Sequence, residues 1–246
     1  VTDVPDATGR SEVLAQGLAR THERIETACR AAGRDRGEVH LIVVTKTWPV
    51  SDIVCLADLG VRDVGENKSA ELVGKRQDRS VADAGLTWHF IGQIQSNKAR
   101  RIAQFADVVH GVDRAKLVEP LARGVHDRPD EHAGGDLGCL VQVSLDPTPV
   151  PGRGGASAQE ALVLADLIAH TDGLQVRGVM GVAPPTGDPR AAFARLREVA
   201  DDVVAAHPSA TWISAGMSDD LEAAVEAGAT HLRVGSAILG SRPRLG

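Results

Sequence analysis

The sequence predicts an α/β fold: a single (β/α)8 barrel of the TIM-like kind, with an extra helix at its N-terminal end. Three observations carry this. Short runs rich in Val, Ile and Leu alternate with segments of helical period, as repeated βα units require. Eight such runs are spread over 246 residues, the size typical of that barrel. The G-x-G-x-x-G fingerprint of an open doubly wound sheet is missing, because the first strand runs instead into "VVTKTWP".

In chain order, an amphipathic helix over 11–32 comes first, and residues 1–10 are expected to be flexible. Strands follow at 39–45, 62–65, 88–92, 107–112, 137–145, 174–182, 211–215 and 231–235. Helices between them are expected at 51–59, 67–78, 97–105, 114–126, 157–171, 189–206 and 219–227, with Ser51, Asp113, Ser157 and Ser218 as N-cap donors. Glycine closes several helix ends, as in "ADLGVRD" and "EAGATH". No linker or charge block divides the chain, so 1–246 reads as one domain. The irregular stretch 146–156, "DPTPVPGRGGA", reads as a loop, either a plain connection or a lid over the site.

Composition excludes several roles. The net charge of -6, with acids and bases interleaved, gives no field that would draw nucleic acid, and the local run Lys98, Arg100, Arg101 reads as a solvated helix face. Cys29, Cys55 and Cys139 form no CxxC pair, which suits packing residues in a reducing compartment and argues against a disulfide scaffold or a zinc site. His126 and His132 lack metal-ligand spacing, so no metal is expected. An export signal and an 18-residue apolar run are both missing, so neither export nor membrane insertion is expected and a cytoplasmic protein is.

A barrel builds its site at the C-terminal ends of its strands. Those ends here carry Thr45 and Lys46, Glu66 and Asn67, Gly92 and Gln93, Ser144, Met180, Ser214 to Met217, and Arg233 to Ser236. Lys46 is the lysine among them. Partial desolvation at the mouth would free its amine for Schiff-base chemistry; a lysine snorkelling from a strand end is the plainer reading. Barrels often hold phosphate in the loops after strands seven and eight. Here "SAGMSDD" and "GSA" offer the hydroxyls of Ser214 and Ser236 and the backbone N–H groups of Gly216 and Gly235, although Ser218, Asp219 and Asp220 also suit simple helix capping. Arg233 shares its side of the strand with Gly235 and, buried, needs an acceptor. An imine-forming amine, a phosphate cradle and an arginine together suggest pyridoxal 5'-phosphate.

The stretches "VVTKTWP", "VGENKSAE", "WHFIGQIQSNKAR", "RGVMGVAP" and "SAGMSDDLEAAVEAGATHLRVGSAILGSRP" resemble the YggS/PROSC family of pyridoxal-phosphate-binding proteins, which is similar to the N-terminal barrel domain of alanine racemase. The resemblance spans 39–243. It implies a barrel holding pyridoxal 5'-phosphate as an internal aldimine on Lys46. Asn67 of "GEN" would lie near the cofactor, Ser214, Gly235 and Ser236 would hold its phosphate, and Arg233 would meet the pyridine nitrogen. Met180, Gly216 and Met217 complete the expected cofactor-binding set. "GQIQ" at 92–95 and "VSLDPTP" depart from the family pattern without touching these residues.

The implied role is cofactor binding, storage or delivery in vitamin B6 and amino-acid balance, by a monomer, with enzymes that require the cofactor as candidate partners and no established turnover. Alanine racemase uses a tyrosine from a second domain as its other base; this chain has no tyrosine and ends after strand eight, so true racemase activity is not expected. The alternatives are a weak amino-acid racemase, with Lys46 or His89 as its base, and a cofactor-free Schiff-base aldolase.

Overall fold

A computed structural model describes residues 7–132, 134–146, 148, 150 and 152–240. Eight parallel strands close into a barrel in chain order: β1 (His40–Val44), β2 (Asp63–Glu66), β3 (Thr87–Phe90), β4 (Val108–Val112), β5 (Leu137–Gln142), β6 (Leu174–Met180), β7 (Trp212–Ser214) and β8 (His231–Val234), which returns to pair with β1. Every predicted strand is present. Helices cover the outside: α1 (Ala7–Ala31), α2 (Val50–Asp58), α3 (Ser69–Arg76), α4 (Ala99–Phe105), α5 (Val118–His126), α6 (Ala158–Ala169), α7 (Pro189–Ala206), α8 (Leu221–Glu226) and α9 (Ser236–Leu239). The four-residue α9 is too short to leave a periodic signal and was not expected.

The expectation of a flexible 1–10 falls outside the described residues for positions 1–6, whereas Ala7–Arg10 open α1. Arg10 ties that end down. Its guanidinium bonds both carboxylate oxygens of the buried Asp52 and lies 4.5 Å over the Trp48 ring.

The main core lies between barrel and helices, where Val43, Val64, Phe90, Val109 and Val141 meet side chains such as Ile53, Leu72, Ile102 and Leu164. Burial on both faces explains why these strands read as near-continuous apolar runs. A separate, smaller cluster of Val108, Leu140 and Met180 is backed by Val182 and Trp212. Between β5 and β6 the register slips at Cys139/Leu140, so Arg177 is an extra residue. Gly178 permits that bulge: its φ is 147°, and a Cβ there would lie 1.9 Å from the Trp212 carbonyl oxygen.

Helix caps follow local detail more than composition. Ser157 forms the expected capping box with Glu160 at α6. The other three predicted caps fail. Pro49 occupies the cap of α2, with Ser51 inside the helix; Asp113 pairs with Arg114, one 3-10 turn ahead of α5; and Ser218 precedes a turn in which Asp220 flanks α8. Asp188, not singled out, caps α7 by accepting from the Arg190 N–H, with Pro189 at the first helical position. Glycine endings hold as expected, with Gly60 and Gly228 at φ 91° and 94° after α2 and α8.

Cys29 and Cys139 are buried, Cys55 is half-buried, and all three are free thiols, in keeping with packing residues. Among the described residues no helix is long and apolar enough to cross a membrane, and no group of three or more His, Cys, Asp or Glu side chains is placed to hold a metal ion.

Candidate functional site

Lys46 sits, half-buried, in a turn directly after β1 that several elements clamp. The Trp48 N–H closes the turn onto the Thr45 carbonyl at 3.1 Å. From beneath, the Thr45 hydroxyl donates to Glu66 Oε1 at 2.6 Å, and Lys75 Nζ from α3 donates to the Thr45 carbonyl at 2.9 Å and to Glu66 Oε1 at 2.7 Å. The Thr47 N–H donates to Glu71 Oε2 at 2.6 Å. Thr47 is the described non-glycine residue with positive φ, 70°, a strained conformation for a β-branched side chain immediately beside Lys46.

Glu66 is fully buried, and burial raises its pKa against the opposing pull of Lys75; its Oε2 has no partner. Glu71 shows the reverse balance. Partial burial pulls its pKa up, but the Thr47 N–H and the ammonium groups of Lys68 and Lys75 hold it below the usual value. Lys75 and Glu71 were not singled out from sequence. A signal existed: Lys75 lies three residues after Leu72, on the helix face that packs inward.

Lys46, Met217, Arg233, Gly235 and Ser236 line one cavity of about 250 Å³ at the C-terminal mouth. Ser218 lines it too, and the Ser236 hydroxyl donates to the Ser218 hydroxyl at 3.1 Å. Gly216 shapes the loop behind it. At φ 88° its missing Cβ leaves room for Ala224 and Leu232, and its carbonyl accepts from the Arg233 N–H at 2.9 Å. At Gly235 a Cβ would stand 3.0 Å from the Val44 carbonyl oxygen, so strand eight passes close to strand one there.

Arg233 is buried, and its guanidinium donates to Ser214 Oγ at 2.5 Å and to the Gly181 carbonyl at 2.9 Å. Burial pushes its pKa down to about 10, with Asp220 acting the other way, so it stays charged at neutral pH. Ser214 therefore does not offer its hydroxyl to the cavity: it is fully buried and committed to Arg233 and to His110 Nδ1, 2.9 Å away. The serine of that loop that lines the cavity is the half-buried Ser218, four residues on.

Two predicted residues lie beside the cavity, not on it. Asn67 lines a neighbouring cleft of about 720 Å³ with Phe90 and Gln93, and its Oδ1 is buried without a partner. Met180 faces an adjoining cavity of about 210 Å³ that shares Ile91 with the Lys46 cavity. His89 is elsewhere. It is fully buried between Asp63 and His110, so it is not a base positioned beside Lys46. Around the second cavity, Asp146 and 153–156 are fastened: Arg153 pairs with Asp146 at 2.6 Å and donates to the Val182 and Ala183 carbonyls, and Gln142 Nε2 bonds the Gly154 carbonyl. Positions 147, 149 and 151 of the supposed lid lie outside the described residues.

Residues 18–243 match the family described as alanine racemase, N-terminal domain. The chain belongs to that family. Within it, the chain is 40% identical over 245 residues to the pyridoxal phosphate homeostasis protein of Mycobacterium tuberculosis, covering 95% of this chain and 94% of that one. The Escherichia coli protein of the same name is 35% identical over 237 residues, covering 93% and 97%. Among solved structures, PipY of Synechococcus elongatus with PLP bound superposes with a TM-score of 0.76 at 30% identity, covering 92% of this chain and 100% of that one. Family membership agrees with the closed barrel.

Proposed function

We propose that this chain binds pyridoxal 5'-phosphate at the C-terminal mouth of the barrel, linked covalently through Lys46, and serves in keeping the supply of that cofactor balanced. The observation that carries the reading is the single cavity into which β1, the β7 loop and β8 bring a lysine amine, a buried charged arginine and a facing pair of serine hydroxyls. Those groups fit a small anion that also carries a carbonyl. The unpartnered Asn67 Oδ1 adds a nearby acceptor for a hydroxyl group. Relatives named for pyridoxal phosphate homeostasis, and a PLP-bound neighbour of similar length, support the same reading.

When bound, the cofactor supplies an aldehyde that joins amines and a ring that withdraws electrons. The chain's own residues act around it. Lys46 presents the amine, Ser218 and Ser236 receive the phosphate with the backbone of Gly235, and Met217 closes a wall. Arg233 would face the ring; still charged at neutral pH, it would disfavour a proton on a ring nitrogen and so weaken the ring as an electron sink. That, and the burial of His89 away from the cavity lining, favour holding the cofactor over turning a substrate over. The protein would act in the cytoplasm as a monomer and pass its cofactor to enzymes that need it.

Titration with pyridoxal phosphate tests this. A visible band that saturates, disappears with borohydride and fails to form in Lys46→Ala is the expected result. An unchanged band in Lys46→Ala, or no band at all, contradicts it.

A further inference from the structure

A continuous line of hydrogen bonds crosses the barrel interior from Arg233, on the cavity wall, to Asp63 at the opposite end of the strands. Arg233 reaches Ser214 Oγ at 2.5 Å; Ser214 Oγ lies 2.9 Å from His110 Nδ1; His110 Nε2 lies 3.0 Å from His89 Nδ1; and His89 Nε2 lies 3.0 Å from Asp63 Oδ1. Strands β8, β7, β4, β3 and β2 contribute one member each. Ser214, His110 and His89 are fully buried, whereas the Asp63 side chain is 34% exposed at the start of β2.

The chemistry of the two ends gives this line a direction. A guanidinium can only donate, and an ionised carboxylate can only accept. With neutral imidazoles, the pattern that satisfies every link has Ser214 donating to His110 Nδ1, His110 Nε2–H donating to His89 Nδ1, and His89 Nε2–H donating to Asp63. We propose that Asp63, His89, His110 and Ser214 are positioning residues that hold the Arg233 guanidinium against the cavity through this one-way relay.

Surroundings agree. Burial first, then the neighbouring His89, Arg233 and His231, hold the His110 pKa well below the ordinary imidazole value, so the ring is neutral as the relay needs. His231 itself is buried, stacked between His40 and Trp212, and is held down to about 2. The relay stands apart from the cofactor reading; only its effect on cofactor affinity rests on that reading.

Two measurements separate the parts. Long-range proton–nitrogen correlation spectra of the 15N-histidine-labelled protein, without cofactor, report each tautomer, with His89→Gln and His110→Gln giving the assignments. Should either fail to fold, Asp63→Asn and Ser214→Ala shift the neighbouring ring instead. The relay requires both rings neutral with the proton on Nε2 at pH 7. A proton on His110 Nδ1, or an imidazolium at His110, overturns it whether or not the protein binds pyridoxal phosphate. In the second, Ser214→Ala should weaken pyridoxal phosphate binding about tenfold, the loss of one hydrogen bond to a charged group, and move the pH profile of the visible band. Unchanged affinity and profile, in a protein that still forms the band, would show that the relay does not position Arg233.

Discussion

Lys75 is the residue whose role is most exposed to a single change. Its ammonium holds the buried Glu66 carboxylate at 2.7 Å and the Thr45 carbonyl at 2.9 Å, beneath the turn that carries Lys46. Lys75→Met strands that carboxylate without a cation, which typically costs about 3–5 kcal/mol. Denaturant melts should show that loss, and Glu66→Gln added to Lys75→Met should recover most of it; no rescue would mean that the pair is not the source. At this scale the sequence told only part. Lys46 and Arg233 were legible because a lone lysine at a strand terminus, and an arginine inside a strand, are each improbable without a partner or a role. Lys75, Glu66 as its counter-ion, and His110 were not, because pairing across elements depends on register that one sequence does not display. Ser214 shows the same limit: the rule that barrel sites form at strand C-termini picked the right strand end, but its hydroxyl faces Arg233 and His110, not the cavity.

Elements were more legible than residues. Parallel strands buried on both sides are written as apolar runs, and all eight stand where those runs lie. Helix starts were read less well, since a cap depends on the one residue at which the backbone turns helical, and a proline or a 3-10 turn moves it. Ser51 and Asp188 make the contrast. Asp188 accepts from the Arg190 N–H and begins an eighteen-residue helix, while Ser51 lies inside α2. Asp188→Ala should therefore destabilise the protein by about 1 kcal/mol, and Asp188→Gly by only a few tenths. Ser51→Ala should leave chemical denaturation nearly unchanged. Equal effects at both sites would show that the assigned cap is wrong.

Two of the barrel's buried imidazoles, His110 and His231, are held neutral where the unfolded chain would protonate them. His110 is held well below the ordinary value and His231 down to about 2, in both cases by burial first. A folded-state pKa below the unfolded one makes the unfolded chain bind more protons in acid. Stability from these groups is therefore complete above about pH 6.5 and falls as pH drops, by about 2.7 kcal/mol per unit once both unfolded imidazoles are charged. Denaturant melts at pH 7 and pH 5 should differ accordingly; half that dependence would mean that one ring takes its proton in the folded protein, and equal stabilities that both do. A ligand that binds only the folded barrel acts in the opposite direction, adding about 2.7 kcal/mol at a hundredfold excess over Kd. The most direct test of the cavity as a cofactor site is covalent. The sequence has five lysines, Lys46, Lys68, Lys75, Lys98 and Lys116, so borohydride reduction of the loaded protein, followed by proteolysis and mass spectrometry, identifies the attachment point. Pyridoxyl phosphate on Lys46 alone is the result this structure predicts; attachment at another lysine, or none on Lys46, would contradict it.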